Sequence, residues 1–345
     1  MTVEGETAPG WAPVREAVAR VEAGQGGALA VAAFQRGRPV VDLWAGTARP
    51  NTLFHTWSAI KPVAGTCLLL LVERGRLRLD DPVADFWPEL DAVQPGLLVR
   101  HLLSHSAGLL RVPAPGTAAA LLDWDRIVAG LAGGQPSWTP PGAAVGEHAF
   151  TFGHLVGEPV RRIDERPLGR FLAEELCGPL DLDIHIGVPE ADLSRVVDTT
   201  GLTAAWWEEQ RGSGGSLRRD ATPKGVDSGL VNGPGWRRGE VPAVNGHASA
   251  RALAGFSARF LGGGLPAAIG QPGAAGVDLV LGRRVQWSLA GGQIDAADVG
   301  MGGLGGQWAC ARPALGLAWA FLTSVMGTSE RAEAVERAIL ECADV

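Results

Sequence analysis

A chain of 345 residues with 46% hydrophobic and 19% charged side chains has ample material for a buried core, which excludes intrinsic disorder. Its net charge of −7 comes without any concentrated basic stretch, so the phosphate-neutralising surface that nucleic-acid binding requires is missing. The longest apolar run, Leu68 to Val72, is far too short to span a bilayer, and the expected partners are small molecules, with no nucleic acid and no membrane.

In chain order, Trp11, Val14, Ala17, Val18 and Val21 fall at helical spacing, and two β-prone runs, Ala28 to Phe34 and Pro39 to Trp44, flank a turn at Gln35-Arg36-Gly37-Arg38. Residues 62–74 predict a helix closed by Gly75, buried on most sides because Leu68 to Val72 show no polar face. From about 76 to 250 the texture is of short helical pieces broken by Pro and Gly: Val99 to Leu103, Leu121 to Leu131, Phe152 to Ile163 and Leu168 to Leu176. Residues 208–240, rich in Gly, Arg and Ser, read as an irregular surface loop. Strand texture returns at Val285 to Leu289, Gln307 to Ala311 and Leu315 to Thr323, followed by an amphipathic helix from Glu330 to Cys342. The class is α+β: an antiparallel sheet flanked by helices, built from 1–75 and 250–345 as one discontinuous subdomain, with 76–249 a mostly helical second one.

Four cysteines, Cys67, Cys177, Cys310 and Cys342, stand far apart without Cys-x-x-Cys pairs, a pattern of free thiols in a reducing compartment. Residues 1–10 lack the basic start and apolar stretch of a signal peptide, so a cytoplasmic location is expected.

Residue usage singles out one position before any motif does. Of 30 basic residues only Lys61 and Lys224 are lysines, and the aromatics are 12 Trp and 9 Phe with no Tyr. A chain that otherwise takes its positive charge from arginine keeps an amine at Lys61, and an amine can lose its proton where a guanidinium cannot. Ser58-Ala59-Ile60-Lys61 places hydroxyl and amine three residues apart at the start of the buried helix, on one side of its first turn. A desolvated lysine near a helix N-terminus can accept the serine proton, because burial and the helix dipole both disfavour its cation. The same helix start offers a backbone N–H to a developing oxyanion.

The flanks carry a resemblance. Phe54-His55-Thr56-Trp57-Ser58-Ala59-Ile60-Lys61, Leu71-Val72-Glu73-Arg74-Gly75 with Leu79-Asp80-Asp81-Pro82-Val83, and Val99-Arg100-His101-Leu102-Leu103-Ser104-His105-Ser106-Ala107-Gly108-Leu109 closely resemble the serine β-lactamase-like family. Within it they look most like class C-type esterases and transacylases. Leu155-Val156-Gly157-Glu158, Asn245-Gly246-His247-Ala248 and the Gly-rich run 300–306 extend the likeness over nearly the whole chain. The resemblance implies a β-lactamase/transpeptidase-like fold, a Ser58 nucleophile assisted by Lys61, and no cofactor or metal.

Two family motifs are altered. Where relatives carry a catalytic tyrosine followed by His-Ala, this chain has Gly146-Glu147-His148-Ala149, so Glu147 stands at the tyrosine position. A carboxylate there would raise the lysine pKa, which makes a Glu147 base with a positioning Lys61 the self-consistent version. Where relatives carry Lys, His or Trp before x-Gly, the chain has Met301-Gly302-Gly303, leaving the Leu304 amide to complete an oxyanion hole with that of Ser58. Trp57, His148, Met301, Gly302 and Gly303 are the residues the resemblance places around the substrate. Met301 removes the side chain that steers a substrate carboxylate in relatives, which, with the missing signal peptide, disfavours a β-lactamase or cell-wall peptidase.

Two further patterns are set aside. Gly300-Met301-Gly302-Gly303-Leu304-Gly305 matches a dinucleotide fingerprint but precedes a strand instead of a helix, and His101 with His105 lacks a third metal ligand at a recognisable spacing. The expected function is acyl transfer from an ester or amide to an amine or alcohol, since a neutral amine needs less activation than water once the phenol is lost. Hydrolysis with water as acceptor is the alternative, and a non-catalytic binding protein on the same scaffold the second.

Overall fold

The run Ala28-Leu29-Ala30-Val31-Ala32-Ala33 is buried on both sides, and its period of two sorts small from large side chains. In the computed structural model, which describes residues 2–295 and 297–343, this run is β2 (Ala28–Gln35) near the middle of a nine-stranded antiparallel sheet. Leu29, Val31 and Ala33 face a core shared with α1 (Ala12–Gln25) and a C-terminal helix, Glu330–Ala343, whose Val335 and Ile339 are fully buried. Ala28, Ala30 and Ala32 face the larger core, where their small side chains let the helix Ala250–Leu261 lie close against the sheet.

The sheet order is β1 (Glu4–Thr7), β3 (Arg38–Gly46), β2, β12 (Leu317–Thr323), β11 (Gln307–Arg312), β10 (Val299–Gly303), β9 (Gln293–Ile294), β8 (Arg284–Ser288) and β7 (Pro272–Val277). Strands from both chain ends meet where β2 pairs with β12, Ala32 opposite Ala320. β1 and β7 join by backbone pairing at the two edges, and their polar or Gly/Ala-rich sequences carry no strand signal. A second, three-stranded sheet joins β4 (Phe54–His55), β6 (His247–Ala248) and β5 (Ile184–His185), fixing the approach to Ser58.

Helix α2 (Lys61–Glu73) is almost wholly buried and ends at Gly75, whose φ of 65° suits the left-handed C-terminal turn. Ser58 does not sit in this helix but in the short 3₁₀ turn Trp57–Ile60 that leads into it. A Cβ at Gly65 would overlap the Ala290 carbonyl, so glycine there lets the 288–292 turn pack directly on α2. Helix α3 (Phe152–Asp164) packs along α2.

The expectation of an irregular loop at 208–240 is corrected. The segment folds as short helical pieces, α4 (Ala204–Gly212) followed by the turns Arg218–Ala221, Ser228–Val231 and Pro234–Arg238. Thr203 and Asp227 cap two of them, while Trp207 and Trp236 are buried. Its glycines mark the turns between the pieces. Backbone bonds from Gly215 N to Val280 O and from Leu217 N to Leu279 O dock it on a segment more than sixty residues away, which no local pattern reveals.

Candidate active site

Trp57 has a φ of 49°, a left-handed conformation that is strained for a bulky residue. It is held there by complete burial, by an edge contact to His55 at 4.4 Å between ring centroids, and by β10, which lies against it. A Cβ at Gly303 would overlap the Thr56 carbonyl oxygen and crowd Trp57, so the glycine is what lets β10 reach this turn. The kink presents Ser58 as the partly exposed residue of an otherwise buried turn.

Behind Ser58, the Lys61 ammonium nitrogen is fully buried and has three partners. Nζ lies 2.6 Å from Ser58 Oγ, 3.1 Å from the Ala243 carbonyl oxygen and 3.2 Å from Glu147 Oε1. Burial lowers the Lys61 pKa below the ordinary amine value, and the Glu147 charge only partly opposes it. Desolvation therefore outweighs the carboxylate, the reverse of the balance expected from sequence. No hydrogen bond joins Glu147 to Ser58 among the described residues, so the group poised on the hydroxyl is the lysine and not the carboxylate.

The Ala243 carbonyl is positioned by Asn245, whose side chain accepts from Val241 N at 2.8 Å and donates to the carbonyls of Trp236 and Gly239 at 3.0 and 2.8 Å. Gly153 on α3 helps: a Cβ there would overlap the backbone at Pro242 and Ala243. These buried bonds fix a carbonyl that no sequence motif marks.

Glu147 is held through its neighbours. The His148 backbone N–H donates to His105 Nδ1 at 3.0 Å, and His148 Nε2 accepts from Leu109 N at 3.1 Å while Nδ1–H donates to the Gly146 carbonyl at 2.8 Å. Gly146 N donates in turn to the His105 carbonyl. Both rings are fully buried, and desolvation lowers the pKa of His148 to about 3 and that of His105 well below its usual value. The placement of His148 beside the substrate is thus corrected: its ring is consumed in holding the Glu147 loop. His101 accepts from Leu98 N through Nδ1 within its own turn, whereas the His105 ring bonds to His148 N and the Gly291 carbonyl, so the two histidines serve separate structural contacts.

Neutral buried histidines have a consequence for stability. His148 and His247 stay neutral in the fold down to about 3 and His154 to about 4, against 6.5 in an open chain. Between those values the unfolded chain binds more protons, so stability falls as pH drops below 6.5. Urea midpoints should therefore decline as pH falls from 6.5 toward 4; level midpoints across that interval would contradict it.

Ser58 and Glu147 open into a cavity of about 270 Å³ walled by Trp57, Phe150, Trp207, Val244 and Met301. Met301 is buried against Val145, Val285 and Trp287 and gives the wall an apolar floor, and Gly302, Gly303 and Leu304 follow it along the rim. The Gly-rich run 300–306 is the end of β10 and its hairpin turn into β11. Sequence reasoning missed Trp207, Arg218 and Thr222 from the docked segment, and Arg283, Gln293 and Trp308 from the sheet, all of which line the same cavity. The Thr203 cap followed by Trp206 and Trp207 was the available signal for the first group.

A family model described as Beta-lactamase matches residues 14–343. The esterase/beta-lactamase LipL of Mycobacterium tuberculosis is 32% identical over 292 residues, 76% of this chain and 65% of that one, so the chain spans slightly under two thirds of that relative's length. Among solved structures, a family VIII carboxylesterase superposes with a TM-score of 0.89 at 28% identity, covering 99% of this chain and 100% of that one. A penicillin-binding protein homologue from Caulobacter crescentus superposes with a TM-score of 0.85 at 31% identity and the same coverage. With the fold, the Ser-x-x-Lys turn and a family match over nearly its whole length, the chain belongs to the beta-lactamase family.

Proposed function

We propose that this chain is a serine ester hydrolase working through a Ser58 acyl-enzyme. The observation that carries the reading is the buried Lys61 amine 2.6 Å from Ser58 Oγ, with its pKa lowered by burial. A neutral amine there takes the hydroxyl proton as Oγ bonds to the substrate carbonyl carbon. The carbonyl electron pair moves to oxygen, for which the backbone N–H groups of Ser58 and Leu304, two residues that line the cavity, are the donors in this reading. As the tetrahedral adduct collapses, the C–O bond to the alcohol breaks and the leaving oxygen takes the proton back from Lys61. Water then attacks the acyl carbon and gives its proton to the Glu147 carboxylate; as the C–Oγ bond breaks, that proton passes through Lys61 to Ser58 Oγ, leaving acid and free enzyme. Glu147 stabilises the lysine cation between these steps, and the cavity-facing carboxylate receives the acceptor's proton.

Glu147→Gln removes that charge while keeping an acceptor for Lys61. We expect a fall in kcat of roughly a hundred- to ten-thousandfold, the range of a lost proton-transfer partner. The acid limb of the kcat/KM profile should also move to lower pH, because the Glu147 charge is what raises the Lys61 pKa. Wild-type rates with an unmoved limb would remove Glu147 from the mechanism.

Transfer to an amine or alcohol is a second reading, favoured by the apolar walls around Ser58. It shares the acylation half and differs only in which nucleophile arrives. Product analysis of an activated ester turned over with and without added amines separates them. Acid as the main product supports hydrolysis; amide dominating at about millimolar amine, far below water's concentration, would establish transfer, since binding raises the effective concentration of an acceptor. Turnover of neither kind would leave a binding protein on this scaffold.

A further inference from the structure

The rim of the Ser58 cavity carries an excess of positive charge that the acyl-transfer chemistry does not use. The protein is acidic overall, at −7, yet two arginines, Arg218 and Arg283, line this cavity against a single carboxylate residue, Glu147. Arg218 donates through Nε to the Gln210 carbonyl at 2.7 Å, and Arg283 donates through Nη2 to Gln293 Oε1 at 2.9 Å. Both partners are neutral. Neither arginine has a carboxylate partner among the described residues, whereas Arg211 and Arg312, close by in sequence or on the same sheet, each do.

The two arginines come from segments joined by backbone bonds. Gly215 N donates to Val280 O at 2.9 Å and Leu217 N to Leu279 O at 3.1 Å, tying the turn before Arg218 to the loop before Arg283. That loop is closed by Asp278: its N–H donates to the Arg283 carbonyl, and its carboxylate accepts from Val280 N, Leu281 N and Trp287 Nε1. Leu279 N donates to Val145 O, which anchors the loop to the Glu147 segment. Each side chain is oriented by one neutral bond and keeps its remaining N–H donors for another ligand. Planar guanidinium forks match a carboxylate, and the apolar walls below them suit a hydrocarbon body.

We propose that Arg218 and Arg283 form a carboxylate-recognition site at the mouth of the Ser58 cavity, so that the substrate is an ester or amide with an apolar body and a free carboxylate. The word substrate rests on the acyl-transfer reading; the binding site itself does not.

The test uses Ser58→Ala protein, in which binding is read without chemistry, and two matched ligand pairs. Monophenyl glutarate is compared with phenyl glutaramate, and para-carboxyphenyl butyrate with para-carbamoylphenyl butyrate, by calorimetry. The carboxylate member of at least one pair should bind about tenfold tighter or better, the worth of hydrogen bonds between charged groups, and that pair identifies which half of the substrate carries the anion. Adding Arg218→Gln and Arg283→Gln should bring the ratio to about one, whereas Arg219→Gln with Arg284→Gln, the same change in net charge nearby, should leave it. High salt should shrink the preference by screening. Equal affinities within both pairs, or equal loss in both double variants, would overturn the proposal. Failure of the acyl-transfer reading would look different: the preference would persist while wild-type protein formed no acyl-serine from either ester.

Discussion

Ser58→Ala is expected to lower kcat/KM by about 10⁴- to 10⁶-fold, the scale on which removal of a covalent nucleophile acts, with the folded structure kept. The lost Oγ is one of three partners of Lys61; the Ala243 carbonyl and Glu147 stay in place, so the buried amine is not stranded. Ser58 itself is partly exposed at the cavity, and its removal opens no void in the core. A change in melting temperature of only a few degrees should accompany the loss of activity. Residual turnover within tenfold of wild type would place the nucleophile elsewhere.

The second large effect is Lys61→Arg, which keeps the positive charge and removes the ability to be neutral. An arginine cannot deprotonate in a protein, so Ser58 would lose its base, and activity should fall by about 10³- to 10⁴-fold. Because Lys61 is fully buried, crowding by the larger head group is a separate cause of loss. The two are told apart with Lys61→Ala, where the vacated space next to Ser58 can admit a small primary amine. Restoration of part of the rate by added amine, increasing with pH as the free base accumulates, identifies proton acceptance as the missing function. Near wild-type rates in Lys61→Arg would show that the lysine acts as a fixed charge.

Much of this site is legible in the sequence because its parts are local. Lys61 stands out by residue usage alone, the three-residue spacing brings it to Ser58, and the Glu147-His148 pair marks the second loop. The sheet is legible where burial on both faces demands a continuous apolar run, as in β2 and β12, and not at β1 or β7, where backbone pairing recruits residues without strand preference. What sequence misjudges is the environment. The pKa of Lys61 turns on the balance between burial and a neighbouring carboxylate, and that balance needs the three-dimensional surroundings. His148 looks like a substrate contact until its two ring nitrogens are seen bonded to Gly146 and Leu109. Residues 208–240 look like a loop because their order comes from Val280 and Leu279, far along the chain, and from the burial of Trp207 and Trp236.

The central claim, a covalent acyl-serine at position 58, is tested most directly by intact-protein mass after rapid mixing with an activated aryl ester, followed by peptide mapping. The account expects an added mass equal to the acyl group, located on Ser58, absent in Ser58→Ala, and lost again with time in buffer. An adduct on another residue, or ester turnover in wild type without any trapped acyl-protein even under acid quench, would contradict it.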